Sequence, residues 1–71
     1  MKLTKDTILS ELKTLTQGKK AIFKNEQGKV KVFFLKNGYY FITFNGNEIE
    51  SITNLEEVSE TVTALLKIES N

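Results

Sequence analysis

The sequence predicts an α+β fold in which a four-stranded antiparallel β-meander is flanked by an N-terminal and a C-terminal helix. Three observations carry that expectation. Apolar residues recur at helical spacing near both ends of the 71-residue chain. Between them, polar turn residues divide the middle into four short segments rich in β-branched and aromatic side chains. The four glycines, at positions 18, 28, 38 and 46, fall where those segments end, as turn or cap positions with positive φ would require.

The first helix is expected over residues 4–17. Thr4 suits an N-cap, Asp6 places a negative charge at the positive end of the helix dipole, and Leu3 can staple onto Ile8. Ile8, Leu9, Leu12 and Leu15 then form one apolar stripe, with Gly18 as a left-handed cap. Strands follow at about 19–24, 29–36, 39–45 and 48–53. A four-residue NEQG loop joins the first two; Asn37-Gly38 and Asn45-Gly46 join the rest as two-residue type I′ turns, which need positive φ at both positions. The second helix is expected over 55–68, capped by Thr53 or Asn54, with Leu55, Val58, Val62, Leu65 and Leu66 on its apolar stripe and Glu56, Glu57 and Glu60 outside.

The turns assign side chains to faces, because residues opposite one another in a hairpin share a face. On that reading Ile22, Phe33, Leu35, Tyr40, Ile42, Phe44 and Ile49 share one face with Lys20, Lys24, Lys29 and Lys31. Ala21, Phe23, Val30, Val32, Phe34, Phe41 and Ile52 share the other with Tyr39, Thr43, Glu48 and Glu50. Two helices cover roughly one face of a four-stranded sheet, since each is about 10 Å wide and strands lie about 4.8 Å apart. With both helices on one side, the usual α+β solution, the other face is left for a second copy or another partner. With the helices on opposite sides, both apolar sets are covered.

Composition narrows the chemistry. A chain of this length makes one small domain, residues 1–71. It has no cysteine and no histidine, so disulfides, thiolate metal sites and the commonest general bases and nucleophile pairs are excluded. No phosphate-cradling glycine loop is present, and nothing activates Ser10, Ser51, Ser59 or Ser70. A non-enzymatic chain without cofactor or metal is expected. No apolar run reaches the ~20 residues of a membrane span, and the charged start MKLTKDTILSELK lacks a signal-peptide core, so a cytoplasmic protein is expected. Lysine, asparagine, glutamate and isoleucine usage without arginine points to an AT-rich bacterial or phage genome.

Net charge is only +1, but it is segregated. Residues 1–36 hold nine lysines against three acids, and residues 37–71 one lysine against six acids, so the halves carry +6 and −5. The leading expectation is a protein-binding module, a small regulator or inhibitor, acting through Glu48, Glu50, Glu56 and Glu57 with Tyr39 and Phe41, or through an uncovered sheet face. Its partner is a protein, with a homodimer as one form. The alternative is single-strand nucleic-acid binding, in which Lys20, Lys24, Lys29 and Lys31 neutralise phosphates while Phe33 and Tyr40 stack on bases. The helix–meander–helix order resembles the double-stranded-RNA-binding domain. That family carries lysines at the start of its second helix, where this chain has Asn54-Leu55-Glu56-Glu57, and a fourth strand is extra; the chain is not assigned to it.

Overall fold

The computed structural model describes residues 3–68 and has the element order α-β-β-β-β-α, an α+β fold with one open antiparallel sheet. Lys2 and Glu69, counted in the charge tally, and Ser70 lie outside the described residues.

Helix α1 spans Lys5–Thr14. Thr4 caps it reciprocally with Thr7: the Thr7 amide donates to Thr4 Oγ1 at 3.2 Å, and the Thr4 amide donates to Thr7 Oγ1 at 2.9 Å. A threonine thus does the work usually given to glutamate in a capping box. The helix stops three residues before position 17. Leu15 is extended, with ψ 129°, and packs against the core; its β-branched neighbours Thr14 and Thr16 are poor continuers of a helix. Gly18 is therefore not a helix cap. It sits at φ +86° in a turn closed by the Lys19 amide donating to the Thr16 carbonyl at 3.1 Å, which leads into the sheet.

Strands β1 (Lys20–Asn25), β2 (Gly28–Phe34), β3 (Tyr40–Phe44) and β4 (Asn47–Ile52) lie in sequence order. The β1–β2 register pairs Lys24 with Lys29 and Phe23 with Val30, as the NEQG loop requires. Asn25 locks this turn, accepting from the Gln27 amide at 2.8 Å and donating from Nδ2 to the Leu66 carbonyl at 2.9 Å. Asn45 (φ 53°) and Gly46 (φ 85°) form the expected positive-φ pair between β3 and β4.

The Asn37-Gly38 connection differs from the expected two-residue turn. Gly38 has φ +92°, whereas Asn37 stays at negative φ. The Gly38 amide donates to the Leu35 carbonyl at 3.1 Å, and the Leu35 amide donates to the Tyr39 carbonyl at 2.8 Å. The loop is a three-residue one, a turn followed by a glycine bulge. Phe33 accordingly pairs with Phe41 and Phe34 with Tyr40, one residue away from the expected Phe33–Ile42 and Leu35–Tyr40 pairs. A one-residue slip exchanges the two faces of a strand. Tyr40, Ile42 and Phe44 therefore join Val30, Val32 and Phe34, while Phe41 and Thr43 turn toward the lysines.

Helix α2 spans Leu55–Leu65, with Asn54 Oδ1 accepting from the amides of Glu56 and Glu57. It ends with Lys67 at φ 54°, where the Ile68 amide reaches back to the Thr63 carbonyl at 2.9 Å. Both helices pack on one face of the sheet. Ile8 and Leu12 of α1 and Val58, Val62 and Leu66 beside them meet Ala21, Phe23, Val30, Val32, Tyr40, Ile42 and Ile52 in one core. Ser59 and Thr63, buried on α2, donate their hydroxyls to carbonyls of their own helix.

Candidate functional site

Alternation along the strands gives the sheet two unlike faces. One is the core just described. The other carries Lys20, Ile22 and Lys24 on β1, Lys29, Lys31 and Phe33 on β2, Phe41 and Thr43 on β3, and Glu48 and Ser51 on β4. None of these ten residues is buried. Ile22 is 50% exposed, and Leu35 (38%) and Tyr39 (42%), paired across the bulged loop, extend the same face.

The centre of this open face is aromatic. Phe33 and Phe41 are cross-strand partners with ring centroids 6.0 Å apart and planes tilted by 41°. Lys20 Nζ lies 5.8 Å from the Phe33 centroid, within cation–π range. Lysines occupy the β1–β2 side and Glu48 the β4 side. Among the described residues the one ion pair is Lys5–Glu60, at 4.0 Å between the helices, and no open-face charge has an ion-pair partner among those residues.

The sites expected from sequence regroup accordingly. Lys20, Lys24, Lys29, Lys31 and Phe33 do share a face. Tyr40 does not: it is 9% exposed on the helix-covered side, stacked on Phe34 at 4.3 Å with an interplanar angle of 8°. Phe41 takes the place expected of Tyr40, beside the lysines. Of the acidic set, Glu48 lies opposite Thr43 on the open side, but a bulge skips Ile49 and pairs Glu50 with Ile42, on the helix side of the sheet edge. Glu56 and Glu57 belong to the first turn of α2. The four carboxylates and the pair Tyr39–Phe41 thus do not make one surface. The register of β3 had a legible signal: its larger apolar set, Tyr40, Ile42 and Phe44, belongs with the face free of lysine.

Among the described residues no three acidic side chains converge to hold a metal ion, and no helix is long and apolar enough to cross a membrane. The site offers apolar area, π-faces and ammonium groups, the means to bind a partner surface. Compared with protein-family models, with curated proteins and with solved structures, the chain matches none.

Proposed function

We propose that the chain is a small non-enzymatic protein-binding module, a regulator or inhibitor, and that it docks through the open face of its sheet. The observation that carries the reading is the apolar set on the face the helices do not cover: Ile22, Leu35 and Tyr39 are exposed, and the Phe33–Phe41 pair is half-buried beside them. Contiguous apolar surface on a small chain marks an interface. Branched aliphatic side chains such as Ile22 and Leu35 favour a protein over nucleic acid, whose bases stack on flat rings. Aromatic side chains flanked by charge are the usual anchors of protein interfaces.

A second reading has its own support. Four lysines beside two phenylalanines on an open sheet have the composition of a single-strand nucleic-acid platform. The absence of arginine and the presence of Glu48 on the same face weigh against it. Affinity capture with the wild-type chain and with Phe41→Lys, at low and moderate salt and with and without nuclease, separates the two. The protein-binding reading expects a discrete protein that survives nuclease and moderate salt and is lost with Phe41→Lys. Retention of nuclease-sensitive material alone, lost as salt rises, supports the second reading and overturns the first.

A further inference from the structure

Resting on the protein-binding reading, we infer that the open face takes an acidic polypeptide segment, lying along the strands with its carboxylates over Lys24, Lys29 and Lys31 and its apolar side chains over Phe33, Phe41 and Leu35. Charge selects this partner. The strand residues of the face carry four lysines against Glu48, a net +3, and the charges in the loops at its two ends, Glu26 and Lys36, cancel. That excess repels a second copy placed over the same face and matches an acidic surface.

The lysines are also placed where the fold alone would not favour them. Lys24 and Lys29 are direct cross-strand partners, and Lys31 stands two residues farther along β2. Side chains directly opposite start about 5 Å apart, residues two along a strand about 7 Å apart, and like charges so placed weaken a sheet. Among the described residues none of the three has an ion-pair partner. Carboxylates seated among them offset that repulsion.

The face is graded along the strands. Nearest the NEQG turn is the Lys24–Lys29 row; Ile22 and Lys31 come next, then Lys20, Phe33 and Phe41, and last Leu35 and Tyr39 at the β2–β3 loop. Charge concentrates at one end and apolar area at the other. A polypeptide matches that gradient when its acidic and apolar residues are grouped. A nucleic-acid strand, with a phosphate on every nucleotide, does not. The rings favour the same choice. Lys20 Nζ stands 5.8 Å from the Phe33 centroid and Phe41 tilts against that ring at 41°, which makes an apolar ridge rather than a flat platform for bases. From first row to last the face spans about 20 Å, the length of about six extended residues, and a contact of that size is weak and transient, with a Kd of roughly 100 μM.

The test is fluorescence anisotropy in about 50 mM salt with labelled probes: the acidic–apolar peptide EEEEGFLL, its basic counterpart KKKKGFLL, and an oligothymidylate of about eight nucleotides. Wild type is expected to bind the acidic peptide more tightly than either other probe, and to lose it as salt rises. Lys24→Glu/Lys29→Glu, at two exposed positions, is expected to reverse the preference toward the basic peptide, and Lys24→Gln/Lys29→Gln to weaken the acidic one roughly fivefold. Circular dichroism checks that each variant folds. Equal affinity for the two peptides, no binding of the acidic one at about 1 mM chain, tighter binding of the oligothymidylate, or folded variants that leave the acidic peptide unaffected overturns the inference. If it falls in any of these ways while affinity capture still retains a discrete protein that Phe41→Lys loses and Lys24→Gln/Lys29→Gln keeps, the docking reading stands without the acidic partner. If capture yields only nuclease-sensitive material, both fall.

Discussion

The two sides of strand β3 are alike in composition and opposite in fate. Tyr40 and Ile42 are buried beneath the helices, with Phe44 half-buried at the end of the same side; Phe41 and Thr43, interleaved with them, face away from the helices and stay half-buried. What separates them is coverage: the helical residues that reach the sheet meet one face of it. An apolar side chain therefore says that a surface prefers to be covered, and the neighbouring elements decide whether the chain covers it itself. The covered face accounts for the fold. The open one keeps apolar area that the helices do not reach.

The contrast is sharpest between adjacent residues. Ile42→Ala removes a buried side chain between sheet and helices and is expected to cost about 2–5 kcal/mol. A domain this small has a net stability of only about 3–5 kcal/mol, so urea titration should show a largely unfolded chain. Phe41→Ala loses its contact with Phe33, about 0.5–1.5 kcal/mol, and should keep a cooperative melt while losing association. Equal destabilisation by the two would remove the distinction between the faces.

Gly28 guards the geometry on which the faces depend. It has φ +153°, and a Cβ there would lie 2.7 Å from Asn45 Oδ1, the atom that accepts the Lys29 amide at 2.9 Å and ties the two hairpin turns together. Gly28→Ala is expected to cost about 1–3 kcal/mol, read from the urea midpoint. A neutral result would show that the turns tolerate separation. The smallest effect expected is a gain. Lys67 holds a left-handed conformation at the end of α2, so Lys67→Gly should raise stability by about 0.5–1 kcal/mol without changing association.

The element order and the helix starts were legible because each rests on local chemistry: Thr4 and Asn54 cap, Asn45-Gly46 turns, Leu12 and Val62 recur at helical spacing. The two Asn-Gly dipeptides show where legibility ends. At Asn45-Gly46 both residues take positive φ, and at Asn37-Gly38 only the glycine does. The dipeptide is compatible with either loop, and the choice falls to the strands, which bury Tyr40 and Ile42 beside Val32 and Phe34 rather than beside lysines. The bulge at Ile49 was equally silent, and it parts Glu48 from Glu50. The β1–β2 turn is unambiguous, so four lysines and Phe33 are legible as one face; one extra residue in the β2–β3 loop is what brings Phe41 to join them.

The most direct test of the two-face account is side-chain NMR of the wild-type chain with a soluble paramagnetic probe, which broadens signals near the surface. Signals from Ile22, Phe33, Tyr39 and Phe41 should broaden, while those of Val32, Ile42, Val58 and Val62 stay sharp. Core signals that broaden as far as the open-face ones would contradict it.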